Sequence, residues 1–393
     1  MNIVVVHNRY QQAGGEDVIV AAEVGLLERH GHRVLLYEVS NKAVRAGSIG
    51  SRAATAVNSV WNRTAYDELR LLIRRHRADV VHCHNLFPLI SPAAYYAAHA
   101  ERAAVVQSLH NFRLLCVNAQ LFRNGGPCEA CVGHSPLLGV IHGCYRGSRV
   151  ASAVVGAMLV AHRLAGTWLR QVDQYIVNTH FARRLFVGAG LPEDRVAIKP
   201  NFAHPDPGPG LHAGEYALFV GRLSPEKGVA ILLDTWRQLD GSVPLRIVGD
   251  GPLRPLVEEA SRQSPAITYL GFRSGAEVLD LMKEATFLML PSLWYEGFPL
   301  VLIEAFSTGL PAIVSSHESL KEIIADGELG WSAASGNPGD VAAAVRGAWR
   351  SRNEVATRGL AARDAFVEKY SADVNYASLL RIYEAARDQR GPD

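Results

Sequence analysis

Apolar residues along the chain fall in short runs separated by stretches with a helical repeat. Ile3–Val6 is followed by a helix-like segment, Glu16–Arg29, and then by a second run, Arg33–Val39. Asp79–His82, Ala104–Ser108 and Gln174–Asn178 extend the series. These runs are rich in β-branched residues and do not alternate with polar ones, the pattern of strands covered on both faces in a parallel sheet. Between Lys199 and Gly214 the sequence KPNFAHPDPGPGLHAG is dense in proline and glycine and has no repeat, so it reads as a linker. Beyond it the rhythm restarts with YALFVG, LRIVGD, ITYLGF, TFLMLP and PAIVSS, each followed by a helical stretch. A second doubly wound sheet is the simplest account. From Asp373 to Gln389, the residues Tyr376, Leu379, Leu380, Ile382 and Tyr383 form the apolar stripe of a final amphipathic helix. The pattern predicts two α/β domains, 1–205 and 206–372, with the terminal segment 373–393 packing back onto the first. Two such domains joined by a linker make a cleft, where ligands bind.

Composition narrows the classes. A chain of 393 residues is too long for one ordinary core. With 48% apolar and 20% charged residues it is neither disordered nor membrane-spanning in type. A net charge of +2 without a dense Lys/Arg block argues against a nucleic-acid partner. The opening MNIVVVHNRY reads as a strand and not as a signal peptide, so a cytoplasmic setting is expected. Five cysteines in that compartment are not expected to form disulfides.

Candidate chemistry gathers at three strand ends of the second half. YALFVG runs into Arg222 and Lys227, LRIVG runs into Asp250-Gly251-Pro252, and TFLMLP runs into SLWYEGFPLVLIEAF. Ligands of parallel sheets bind beyond the carboxyl ends of strands, so the three loops share one rim. Gly297, Phe298 and Pro299 suit a helix start, whose free N–H groups favour an anion. With Arg222 and Lys227 this edge matches a diphosphate. Two acids, Glu296 and Glu304, stand in an otherwise apolar stretch, where an unpaired carboxylate is costly. Either they are paired internally or they receive hydroxyls. Glu296 before the helix would touch neutral hydroxyls, and Glu304 two turns in would accept from a ribose diol. Sugar, diphosphate and ribose in that order make a nucleotide sugar. The opposing reading is a set of surface ion pairs on a generic α/β domain.

The stretches GRLSPEKG, VGDGP and EGFPLVLIEAF resemble the motif set of the family 4 glycosyltransferases of GT-B fold (glycosyl transferases group 1). The resemblance covers nearly the whole chain and is most specific over residues 216–326. It implies two Rossmann-like doubly wound domains facing across a cleft, an N-terminal acceptor domain and a C-terminal donor domain. It implies retaining transfer of a sugar from a nucleotide sugar (UDP-, GDP- or similar) to a glycan or lipid-linked hydroxyl, as in polysaccharide biosynthesis. Arg222 and Lys227 would hold the diphosphate, Glu304 the ribose and Glu296 the transferred sugar. Gly249, Gly251, Gly297 and Phe298 belong to the same donor edge. Pro299 lacks an N–H, so Leu300 and Val301 would donate to phosphate. In the first half, Gly14 and Gly15 after the first strand would let the backbone approach the donor or acceptor; the other reading is a plain strand-to-helix turn. By the same resemblance His110 would lie beside the reacting sugar, with His84 and Asn111 on the acceptor side. No divalent ion is expected at the diphosphate, since no Asp-x-Asp pair is present.

Two segments stand outside that set. Cys116, Cys128, Cys131 and Cys144 are spaced x11, x2 and x12, which allows a structural tetrahedral zinc site, unligated buried thiols or an oxidisable pair. Cys83 reads as core. The stretch Tyr145–Arg170 combines five basic or histidine side chains with the apolar run Val150–Val160. It reads as a core helix, or as a peripheral helix meeting a lipid-linked acceptor at the inner membrane face. Two rival functions share the architecture: a sugar-nucleotide epimerase and a non-catalytic nucleotide-sugar binding protein. A dinucleotide dehydrogenase is disfavoured because Arg254 stands where a third glycine would follow Gly249 and Gly251.

Overall fold

The computed structural model describes residues 1–9, 14–40 and 49–390, apart from the side chains of 49–53. It divides into two compact units: 1–121 with 129–200 and 375–393, and 122–128 with 201–374. The last three residues of the expected terminal segment lie outside the described residues.

The first unit is built on six parallel strands: β1 (Asn2–Arg9), β2 (Arg33–Ser40), β3 (Val80–Cys83), β4 (Ala104–Ser108), and, after a short antiparallel hairpin of β5 (Phe122–Arg123) and β6 (Gly126–Pro127) that groups with the second unit, β7 (Gln174–Val177) and β8 (Val196–Ile198). Their order is β2-β1-β3-β4-β7-β8. Strands β3, β4 and β7 are buried at every position, whereas the edge strand β2 is half exposed. That contrast is why the central strands read as unbroken apolar runs. One face of the sheet packs Ile3, Val5, Val80, Ala104 and Val106 against Val20 and Leu27 of helix Gly15–Arg29 and against Leu379, Ile382, Tyr383 and Ala386 of the terminal helix Ala372–Asp388. Burying each large apolar side chain contributes about 1.5–3 kcal/mol, so the apolar stripe of the terminal helix anchors it here. Helix Arg149–Leu164 buries Val155, Met158, Leu159 and His162 and exposes Val150 and Leu164, as a core-facing helix does.

The second unit repeats the plan with β9 (Ala217–Val220), β10 (Leu245–Val248), β11 (Ile267–Gly271), β12 (Phe287–Leu290), β13 (Ala312–Ser315) and β14 (Gly330–Ala333), all parallel, in the order β11-β10-β9-β12-β13-β14. Successive residues serve opposite faces. Leu218, Leu288, Leu290 and Val314 pack on Leu302, Ile303 and Phe306 of helix Leu300–Ser307. Phe219, Met289 and Ile313 pack on Leu232, Leu233 and Trp236 of helix Val229–Leu239. Two separate cores therefore sandwich one sheet.

Candidate active site

In the second unit β9 lies between β10 and β12. The helix after β9 covers one face of the sheet and the helix after β12 covers the other. The loops leaving these neighbouring strands diverge, which makes the crevice at which open α/β sheets take ligands. The structure locks the loops together by close backbone contact. Leu293 N–H donates to the Glu226 carbonyl at 2.8 Å, and a Cβ on Gly228 would stand 1.8 Å from the Pro291 carbonyl oxygen. The loop after β10 is tied in as well, through Leu223 N–H to Asp250 O at 2.9 Å and Leu253 N–H to Leu223 O at 2.8 Å. Gly249 and Gly251 have φ of 141° and 157°, and their missing Cβ atoms would meet Gly221 O at 1.9 Å and Leu223 O at 2.5 Å. Both glycines are thus demanded by the chain's packing on itself.

The two acids of the third loop have different fates. Glu296 is buried and paired: Lys227 Nζ lies 2.8 and 3.0 Å from its two oxygens and Ser292 Oγ donates at 2.6 Å. Burial pushes its pKa up, but the Lys227 charge and the hydrogen bonds outweigh this and leave it below the ordinary carboxylate value. Lys227 and Glu296, expected to hold phosphate and sugar separately, hold each other. A lysine after β9 and a glutamate after β12 meet because those strands are neighbours. Two Lys227 protons engage Glu296 and the third remains. Glu304 is half-buried, has no side-chain partner among the described residues, and burial raises its pKa. Arg222 is exposed and has no ion-pair partner among the described residues. Leu300 and Val301 form the first turn of helix Leu300–Ser307, behind Pro299 at its N-cap, and Gly297 is partly exposed ahead of it. The Phe298 side chain belongs to the core, with its ring 5.8 Å from that of Tyr370, so at most its backbone serves the edge. His317, which sequence reasoning missed, supports the loop: its Nε2 is 2.9 Å from Ser335 Oγ and its ring stands edge-on to Tyr295.

In the first unit the sheet order changes direction at β1, between β2 and β3. Gly14 caps helix Gly15–Arg29 and donates its N–H to Asp17 Oδ2 at 2.8 Å. A Cβ on Gly14 would meet nothing within 4 Å, so packing does not require glycine there. Residues 10–13 lie outside the described residues. A pocket opens beyond β3 and β4, lined by His84, Gln107, His110, Asn111 and Arg113 among others. The structure thus joins His84, His110 and Asn111 in one place. His84 Nδ1 and His110 Nε2 are 2.8 Å apart with stacked rings. Behind them lies a buried polar cluster that sequence reasoning missed. Lys199 Nζ contacts Glu23 Oε1 at 2.6 Å and Asn375 Oδ1 at 3.2 Å. His82 is bonded to Tyr383 OH and Ser108 Oγ, each at 2.8 Å, and His7 to Asp17 at 2.8 Å. Burial lowers the pKa of His82 to about 4 and that of His110 to about 3, and holds His84 well below the ordinary value, so all three are neutral at pH 7.

The four cysteines are not brought together. Among the described residues, the group of metal-capable side chains close enough to share an ion is Glu23, His82 and His84, and it contains no cysteine. Cys128 belongs to the second unit, while Cys116, Cys131 and Cys144 belong to the first, and the Cys116 thiol donates to Asn118 Oδ1 at 2.9 Å. Cysteine spacing is compatible with zinc, and among the described residues no three of the four cysteines lie close enough to share an ion. No disulfide forms among the described residues, and Cys83 is core.

Comparison with known proteins fits this geometry. Residues 13–206 match the family model described as Glycosyltransferase Family 4, and residues 214–351 match that of Glycosyl transferases group 1. Together the two span most of the chain. HepE of Anabaena, solved with UDP and glucose, superposes with a TM-score of 0.66 at 18% identity over 98% of this chain and 99% of that one. The sucrose-phosphate synthase of Thermosynechococcus elongatus gives 0.68 at 15% identity over 97% and 98%. The fold is GT-B, and the chain belongs to the glycosyltransferases of that architecture. Among curated relatives, the phosphatidyl-myo-inositol mannosyltransferase of Mycobacterium leprae is 28% identical over 64% of this chain and 68% of its own length. The amylovoran biosynthesis glycosyltransferase AmsK of Erwinia amylovora is 29% identical over 44% and 46%. The chain spans about half the length of most of the curated relatives it matches.

Proposed function

We propose that the protein transfers a sugar, with retention of anomeric configuration, from a nucleoside-diphosphate sugar to a hydroxyl of a glycan or lipid-linked acceptor. The observation that carries this reading is the crevice after β9 and β12. There Arg222 and a Lys227 held by Glu296 stand on loops stitched to one another, beside a helix N-terminus and Glu304 within that helix; among the described residues Arg222 has no ion-pair partner and Glu304 no side-chain partner. Charge grows on the leaving diphosphate as the glycosidic bond breaks, and fixed donors there stabilise that charge more than the ground state. Glu304 accepts from the ribose diol, and the Glu296 carboxylate holds Lys227 in place. With these cations in position the diphosphate needs no divalent ion, and transfer proceeds in EDTA. His110 stands beside the reacting sugar, with His84 and Asn111 on the acceptor side, and Gly14 and Gly15 leave room for a ligand. HepE was solved with UDP-glucose, which supports a nucleotide sugar as donor. If the acceptor is lipid-linked, the first unit, which carries the segment Tyr145–Arg170, works at the cytoplasmic membrane face.

The test is to incubate the purified protein with UDP- and GDP-sugars, with and without glycan or lipid acceptors, and to follow release of nucleoside diphosphate and the anomeric proton of the product. Release that depends on acceptor, with the donor's anomeric configuration kept, supports the proposal. Interconversion of the sugar without release would show an epimerase, and binding without turnover a sensor.

A further inference from the structure

The cluster behind His110 contains more charge than a structural core needs. Glu23 and Lys199 are each 2% exposed and in contact at 2.6 Å. Such a pair is costly to bury and is weak evidence for stability. The second Glu23 oxygen, Oε2, is buried with no hydrogen-bond partner, and so is His84 Nε2; they face each other at 3.5 Å. On its other side the His84 ring meets His110, Nδ1 to Nε2, at 2.8 Å.

We propose that Glu23, held as a carboxylate by Lys199, is a positioning residue that sets the proton positions of His84 and His110. The inference rests on the reading of His110 as an active-site residue. A bare nitrogen facing a carboxylate oxygen is repelled, so His84 carries its proton on Nε2 and turns it toward Glu23. Its Nδ1 is then an acceptor, and the proton between the two rings belongs to His110 Nε2. That leaves His110 Nδ1 unprotonated, a neutral acceptor on a residue that lines the cavity. Such an atom takes a hydrogen bond from a substrate hydroxyl and does not attract phosphate. Lys199 helps to keep Glu23 ionised despite burial: desolvation raises its pKa, and the Lys199 charge and hydrogen bond together with the neighbouring histidines bring it below the ordinary carboxylate value.

The neighbouring groups agree with this assignment. The charged or titratable side chains around His84 are Glu23 from helix Gly15–Arg29, Lys199 beyond β8, His82 on β3, His110 after β4 and His7 on β1. Asp17 faces His7 and Tyr383 faces His82. Glu23, His82 and His84 are close enough to share a metal ion. An ion there would sit beside the Lys199 ammonium, and both His82 nitrogens are already bonded to Tyr383 and Ser108. The chemistry of the cluster is that of a fixed proton arrangement.

The experiment combines histidine ring 15N spectra with steady-state kinetics on the full chain. His84 and His110 signals are assigned by their loss in His84→Gln and His110→Gln. In the wild type both rings are expected to be protonated on Nε2 and neutral at pH 7. Glu23→Leu with Lys199→Met removes both charges together, so that folding is spared an unpaired ion. This variant is expected to lose the fixed tautomers, with kcat down about 10- to 100-fold and KM for the donor little changed. Glu23→Gln with Lys199→Met keeps an acceptor oxygen and is expected to recover most of the rate. His84 found protonated on Nδ1 in the wild type, or wild-type spectra and kcat in the Leu/Met variant, would overturn the proposal. Full kcat in His110→Ala would instead overturn the underlying reading of His110 and leave the proton arrangement to the spectra.

Discussion

Replacing Lys227 by methionine tests the pairing that the structure shows at the crevice. The substitution keeps most of the stem and removes the charge. Glu296, with 5% of its side chain exposed, is then left in a buried place without its cation, though the Ser292 hydroxyl still donates to it. Removing one partner of a fully buried pair costs about 3–5 kcal/mol. Lys227 keeps 21% of its side chain exposed, so water recovers part of that, and about 2–4 kcal/mol is the working figure. For a domain of this size each kcal/mol moves the melting point by roughly 2–4 °C, so a fall of roughly 4–16 °C is expected at pH 7. Glu296→Gln removes the other charge, and the double variant should be more stable than the sum of the two losses implies, by at least about 1 kcal/mol. The pH dependence has a definite sign. The folded pKa of Glu296 is depressed, so its contribution is present above the ordinary carboxylate range and is lost as pH falls through the folded pKa. The Lys227→Met deficit should therefore be full at neutral pH and shrink on acidification. Urea denaturation of the four proteins, followed by tryptophan fluorescence, supplies the cycle. Strict additivity of the two single losses would refute the reasoning.

Other expectations follow from the same geometry. Glu304 has a raised folded pKa and no side-chain partner among the described residues, so its ionisation opposes folding as pH rises through that pKa; Glu304→Gln should slightly raise the melting point at pH 8 while weakening nucleotide-sugar binding about tenfold by calorimetry. Gly228→Ala, at φ 71° with its Cβ 1.8 Å from a carbonyl oxygen, should destabilise the second unit by more than about 2 kcal/mol in urea unfolding, whereas Gly14→Ala should leave stability within about 0.5 kcal/mol. Prolonged dialysis against EDTA should leave the melting point unchanged, and stoichiometric zinc in the purified protein by elemental analysis would put a metal back on the cysteines.

The fold was legible because both sheets are parallel and doubly covered. Runs such as Ile3–Val6 and Phe287–Leu290 are apolar on both faces, and this signature survives without any knowledge of partners. That the three candidate loops of the second unit come together was legible for a related reason: they follow immediately after strands, so sequence position nearly gives spatial position. What the sequence hid is pairing between distant segments. Lys227 and Glu296 meet because β9 and β12 are neighbours, an adjacency that chain order conceals. Glu23, Lys199 and Asn375 are separated by about half the chain and look like ordinary helix and loop residues; nothing in their local pattern marks them as buried together. A Lys directly after the apolar strand Val196–Ile198 was the one available hint. The cysteines are the opposite case: their spacing suggests a site, and among the described residues no three of them lie close enough to share an ion.

Titration calorimetry of UDP- and GDP-sugars into the wild type, Arg222→Ala and Glu304→Ala addresses the central claim most directly. The account predicts saturable one-to-one binding of at least one nucleotide sugar in EDTA, weakened tenfold or more in both variants, about 1.4 kcal/mol or greater. Binding of that sugar with equal affinity to all three proteins would place it elsewhere, and no binding of any nucleotide sugar would contradict the account outright.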